Sequence, residues 1–334
     1  MRGLRVAVVL LMSGVVWAKG PKTITVAASG GDFVTIQAAV NAAPEDGAVI
    51  RIRPGVYREV VHVDKPGIQF RGDTDDPKKV VLVYGNSAAS TCGTRCSATL
   101  FVTGTDFFAG NMTIANDYSK TSDVPSQAVA VSVRADRAVF RNVRLLGAQD
   151  TLYASSMGCM NGALPGENCL TARQYFVDCY IEGHVDFIFG DAKAVFEGCE
   201  IRSIAHAEGG YVTAQSNTRA GQDAGYVFNH VRLTADDGSG PVYLGRPWRD
   251  YSTVVFMNTE IGAHIQPAGW SAWQGSPTDR LKTATYAEFN SSGPGANAAA
   301  REPLSKQLTA DEAKKYETKV FLAGVDGWDP TKVK

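Results

Sequence analysis

Two aspartates sit where a recurring motif would bring them together. Asp150 follows Asn142 by eight residues, and Asp186 follows Asp178 by the same interval. Asn142 and Asp178 hold equivalent places in copies of one short pattern, so the two acids share a phase. On adjacent coils of a repeating structure, outward carboxylates in that phase approach within about 5 Å, and two such charges do not both ionise cheaply. One keeps a proton near neutral pH while the other stays anionic, so a single residue type supplies both an acid and a nucleophile or base. Stacked Asp or Asn ladders also decorate the turns of repeat proteins without doing chemistry. The neighbours argue for chemistry: Gln149-Asp150-Thr151-Leu152-Tyr153 and Asp186-Phe187-Ile188-Phe189-Gly190 surround each acid with apolar and aromatic groups, an uncommon composition for a solvated turn. In a regular strand Gln149 and Asp150 would face opposite ways. Either the strand ends there or a bulge turns one side chain.

The elements that must position this pair are themselves repeated. A short apolar strand, a small or polar turn residue and a second short strand recur at Phe140–Leu145, Phe176–Ile181, Phe196–Ile201, Phe228–Leu233 and Phe256–Ile261, with Asn111–Ile114 as a degenerate earlier copy. The turn positions 142, 178, 198, 230 and 258 are spaced by 36, 20, 32 and 28 residues, as in a basic coil with insertions of different length. Val, Ile and Phe dominate these strands, helical periodicity is nearly absent between Arg51 and Trp273, and strict two-residue hairpin turns are scarce. The pattern predicts an all-β right-handed parallel β-helix, a solenoid, rather than a sandwich. Its ends need covering. Thr35 to Ala43, stopped by Pro44, and a capping-box start at Thr309 with Glu312, running through Tyr316, predict short capping helices. One domain is expected over 19–334, continuous from about Thr23 to Pro330. Cys179 and Cys199 fall at the same position on successive coils and should stack in the core, as a disulfide or as two packed thiols.

Composition narrows the function. Lys and Arg total 33 against 34 Asp and Glu, so no net field draws in nucleic acid or an anionic membrane. Arg2 and Arg5, the apolar run Val6 to Trp17 and the small Ala18 read as a secretory signal peptide over 1–18, the run being too short for the ~20 residues that span a bilayer. Export makes disulfides among the six cysteines reasonable. Cys159 and Cys169 are expected to staple a surface loop, and Cys92 and Cys96 form a second close pair. The five histidines lack ligand spacing, no acidic loop resembles a calcium site, and no GxSxG elbow is present. Neither a metal nor any other cofactor is expected.

At this point the sequence resembles the pectin methylesterase family. Gly55-Val56-Tyr57-Arg58-Glu59, Gln127-Ala128-Val129, Gln149-Asp150-Thr151-Leu152, Asp186-Phe187-Ile188-Phe189-Gly190 and Leu244-Gly245-Arg246-Pro247-Trp248 are similar to its five signatures, in the family's order. The resemblance implies the β-helix and action on pectin, that is, methyl-esterified homogalacturonan; with the signal peptide, a secreted monomer is expected, periplasm or outer membrane being the alternative destinations. It implies that Asp186 is the nucleophile toward the C6 ester, that Asp150 is the acid and then the base, and that Gln127 and Gln149 are oxyanion donors. Arg246 belongs beside Asp186, where its charge decides which aspartate is the anion. Trp248, Tyr153, Phe189 and Trp270 offer aromatic planes to sugar rings, although core packing is an equal reading for Phe189 and Trp270. Tyr57 and Glu59 read as structural.

The chain departs from the family in a longer segment from Ala154 to Tyr175, which could wall the groove, and in Asp191, where Asn is frequent in plant relatives. A polygalacturonase would use paired acids without the two glutamines and the Arg-Pro-Trp segment. A pectate lyase would need a calcium-binding acidic cluster. A non-catalytic wall-binding module would have lost one of the five polar residues, and all five are present.

Overall fold

A computed structural model of the protein describes residues 21–159 and 169–333, so the segment 1–18 read as a signal peptide and the middle of the 154–175 segment lie outside the described residues. Among the described residues, strands pair almost entirely in parallel. One ladder, of seven short strands, runs in order through Val61–Val63, Leu100–Val102, Val131–Val133, Leu152–Ala154, Ile188–Gly190, Gly210–Gln215 and Val242–Gly245. Two further ladders merge where Phe108–Asn116 and Ala138–Leu146 each contribute to both. Each coil therefore visits three faces before the next is laid down. This is the right-handed parallel β-helix.

The turn positions of the repeat explain why the chain bends where it does. Asn142, Asp178, His230 and Asn258 have φ of 51°, 54°, 51° and 50°, and Gly198 has 62°. Asn111, the degenerate copy, is also left-handed at 57°, and Asn290 adds a copy absent from the sequence reading. Asn and Asp tolerate this conformation better than other L residues. The side chains add a ladder: Asn142 donates to Asn111 at 2.8 Å, Asn258 to Asn229 and Asn290 to Asn258, both at 2.9 Å.

Inside, the first residue of each repeat forms a phenylalanine column. Phe140, Phe176, Phe196, Phe228 and Phe256 stack with centroids 4.5–4.8 Å apart. Glu288 takes the next place in register after Phe256, and Arg301 folds over it with an ion pair at 2.6 Å that is 3% exposed on each side. Cys179 and Cys199 are buried free thiols, with the Cys179 N–H 3.4 Å from the Cys199 sulfur.

The amino-terminal helix Ile36–Ala42, N-capped by Thr35, packs into the main core as expected. Glu59 accepts from the N–H groups of Ile36 and Gln37 and the Tyr57 hydroxyl donates to the Arg53 carbonyl, so both residues are structural. The carboxy-terminal helix Ala310–Ala313 has its complete capping box. It does more than cover an end. Ala313, Tyr316 and Leu322 lie on an outward row, Phe108, Val139, Tyr175, Val195, Val227 and Val255, that runs the length of one face. That face is covered on both sides, which is why its strands read as unbroken apolar runs.

Candidate active site

Three turns beside the seven-strand ladder build the site, and backbone bonds fix their register. The Asp150 N–H donates to the Val185 carbonyl at 3.1 Å, Leu152 N–H to Phe187 at 2.8 Å, and Ala128 N–H to the Gln149 carbonyl at 3.1 Å. The strand preceding Asp150 ends at Leu146, so the difficulty with Gln149 and Asp150 resolves as a strand end rather than a bulge. Asp150 and Asp186 are both left-handed, at φ 63° and 52°. That conformation, repeated one coil apart, aims both carboxyls and Gln149 into one groove instead of onto opposite faces. The groove, of about 620 Å³, is lined by Gln127, Gln149, Asp150, Asp186, Phe189, Arg246 and Trp248, with Trp273 and Arg249 on its walls.

The two acids differ in their partners. Arg246 donates from Nε to Asp186 Oδ1 at 2.9 Å and from Nη2 to Oδ2 at 2.7 Å, a two-point bond that fixes the carboxylate plane. Its guanidinium carbon lies 3.9 Å from the centroid of the Tyr211 ring and 4.4 Å from that of Trp273, so both rings hold the cation by cation–π contact. Asp150 has no such partner among the described residues. Burial, then the charge of Asp186, push its carboxyl well above the usual carboxylate range, against a smaller pull from Arg246. Burial also raises Asp186, and here the hydrogen bond and charge of Arg246 oppose it. Burial thus acts on both carboxyls, and Arg246 opposes it through a direct hydrogen bond only at Asp186. The side-chain amides of Gln127 and Gln149 are bonded to no described residue and remain available as donors at the groove.

Arg246 is delivered by local backbone constraints. Its N–H donates to Thr213 and that of Trp248 to Gln215, at 3.0 and 3.1 Å. At Gly245 a Cβ would collide with the Thr213 hydroxyl, which explains the Gly before the Arg.

The aromatic expectations divide. Trp248 is half-buried on the groove. Phe189 lies in its floor, and Tyr153, its register partner one coil earlier and 3% exposed, stacks beside it with centroids 4.8 Å apart but does not line the groove. Trp270 is the correction: it is 2% exposed and stacks on Tyr286 at 4.1 Å inside the helix, where no sugar can reach it. Trp273, three residues on, holds the place assigned to it. Trp273 and Tyr211 were missed because neither adjoins a motif; only the outward phase of their coils marks them. Asp191 is wholly buried and accepts from the Ser155 hydroxyl at 2.6 Å and the Ser156 N–H at 2.8 Å, fixing the backbone just beyond Tyr153. Cys159 and Cys169 are joined as expected, and so are Cys92 and Cys96, whose loop forms one rim. No group of potential metal ligands occurs among the described residues.

The open groove on this parallel β-helix sets paired carboxyls beside aromatic planes of the kind on which sugar rings pack. A family profile described as Pectinesterase matches residues 23–325. The chain is 37% identical over 298 residues to pectinesterase 31 of Arabidopsis thaliana, covering 85% of this chain and 86% of that one. It is similar in structure to the pectin methylesterase from carrot, with a TM-score of 0.81, 34% identity and coverage of 93% and 96%. It is also similar to a pectin methylesterase solved in complex with a hexasaccharide, with a TM-score of 0.75, 29% identity and coverage of 92% and 98%. The chain belongs to the pectinesterase family and is a carboxylic ester hydrolase.

Proposed function

We propose that the protein is secreted and, as a monomer, hydrolyses the C6 methyl esters of galacturonate residues in pectin. The observation that carries this reading is the unequal pair: one buried carboxylate clamped by Arg246, the other unclamped and raised, facing the same groove. Asp186 attacks the ester carbonyl, and the tetrahedral oxyanion is met by the amides of Gln127 and Gln149, each worth a few kcal/mol as a preorganised donor. The C–O bond to the methyl group's oxygen breaks as Asp150 gives it a proton, and methanol leaves an acyl-Asp186 anhydride. Water then attacks the acyl carbon while Asp150, now a carboxylate, takes its proton. Collapse frees Asp186 as an anion and galacturonate as its acid. Trp248, Trp273 and Phe189 present the apolar surface for sugar faces. The solved relative in complex with a hexasaccharide supports a carbohydrate ligand.

The test is methanol release from highly methylated pectin in the presence of a chelator, with reducing ends and unsaturated products followed in parallel. The wild type is expected to release methanol without chain cleavage, and Asp186→Asn to lose at least about a thousandfold in kcat, the scale on which removal of a nucleophile is felt. Chain cleavage, or no product from folded protein, overturns the reading.

A further inference from the structure

A separate cleft, of about 520 Å³, opens on the face covered by the carboxy-terminal segment and shares no lining residue with the catalytic groove. Its floor is the outward row of that face. Lys193 pairs in register with Gly225, and Thr253 with Thr285. At Gly225 a Cβ would meet the Thr253 side chain at 2.8 Å, so the row is left hollow there. The loop 217–224 walls one side with Arg219, and the carboxy-terminal segment walls the other with Lys306, Lys315 and Phe321.

Four cations thus face one acid, Asp223. Lys193, 8% exposed, pairs with it at 2.5 Å and lies 4.9 Å from the centroid of the Phe321 ring. The other three have no carboxylate within ion-pair distance among the described residues. Arg219 Nη1 is buried without a hydrogen-bond partner, and its Nη2 reaches only the Cys169 sulfur, at 3.7 Å. Lys306 and Lys315 are exposed, and the Glu312 carboxyl on which both act is already held by the N–H and hydroxyl of Thr309. By contrast, guanidiniums elsewhere are matched: Arg173 binds Asp136 and Asp326, and Arg137 binds Asp106. The hydroxyls of Tyr251 and Thr285 also line the cleft and bond to no described residue. Unbalanced positive charge beside free hydroxyls and an aromatic ring suits a sugar chain that carries carboxylates. A fully esterified chain has no charge to offer, and a cationic ligand would be repelled.

Resting on the function proposed above for the source of such a chain, we infer that the cleft between the loop 217–224 and the carboxy-terminal segment, with Arg219, Lys306 and Lys315, is a non-catalytic docking site for de-esterified uronate polymer. It holds the protein on that polymer through a face other than the one that carries the paired aspartates, and so governs attachment and not the chemical step.

The test compares adsorption to immobilised polygalacturonate with turnover of a short, fully methyl-esterified oligogalacturonide. In the double variant Arg219→Gln, Lys315→Gln the apparent Kd on polygalacturonate should rise about tenfold, a few-fold for each charge removed. Its kcat/KM on the esterified oligomer, and the Ki of a short unesterified oligomer in that assay, should stay those of the wild type, which also shows that the variant folds. Lys78→Gln, Lys79→Gln removes the same charge from an exposed stretch outside the cleft and should leave adsorption unchanged. An unchanged Kd in the first variant, an equal loss in the second, or a Ki that rises in step with the Kd overturns the inference. So does displacement of the wild type by dextran sulfate as readily as by free polygalacturonate, since the cleft would then be a general polyanion patch. The two readings fail separately. A folded wild type that releases no methanol sinks the esterase proposal, whereas adsorption, and its loss in the first variant, are read without turnover.

Discussion

At the residue scale, the proposed mechanism depends on one arginine being given to one aspartate. Asp150 and Asp186 are the same residue type, in the same left-handed conformation, at equivalent places on adjacent coils. Burial raises both. Only the two-point bond from Arg246 distinguishes them, and it favours the anion at Asp186. Replacing Arg246 with Gln should therefore raise the Asp186 pKa, since a stabilised anion loses its counter-charge, and the acid limb of the kcat/KM–pH profile should move to higher pH by about one to three pH units. A profile that only falls in height, with its acid limb unmoved, would show that Arg246 holds substrate instead. The contacts of Tyr211 and Trp273 belong to the same logic, because a guanidinium held by two aromatic rings has little freedom to leave its carboxylate.

At the element scale, the coil is set by turn residues that pay little for a positive φ and also bond to one another. Asn258 both donates to Asn229 and accepts from Asn290. Asn258→Ala should lose about 2–3 kcal/mol, combining the left-handed cost of an L residue with two lost hydrogen bonds, and Asn258→Gly should lose less because glycine removes the first cost. Urea midpoints measure this. If glycine is the worse of the two, conformation is not what the turn selects for. The repeat made these turns legible from the sequence alone, since Asn, Asp, Gly and His recur between matching Phe and Ile positions. The copy at Asn290 escaped because Glu288 stands where a phenylalanine belongs, and its reason is tertiary: Arg301 needs that carboxylate where the column ends.

At the scale of the whole molecule, the carboxy-terminal segment is a cover for one face. Arg173 binds Asp136 through Nη2 at 2.7 Å and reaches across to Asp326, while Arg141 donates to the Val333 carbonyl at 2.8 Å, tying the segment to coils far back in the chain. A chain ended after Leu308 should expose the row from Phe108 to Val255, bind a hydrophobic dye and elute as aggregates in size-exclusion chromatography. A soluble monomer with an unchanged melting temperature would show that the segment is dispensable.

The sequence by itself determined the coil, the phase that pairs Asp150 with Asp186, and the family to which the chain belongs, because these depend on residue types at fixed spacing. The tertiary structure decided what spacing cannot carry. It showed the strand ending before Gln149, so that left-handed turns, not alternation, aim the acids. It buried Trp270 and brought Trp273 to the groove, since two aromatic residues three apart differ only in which way their coil faces. It set Arg219 and Lys315, separate in the chain, at one cleft, because the carboxy-terminal segment folds back over coils laid down far earlier.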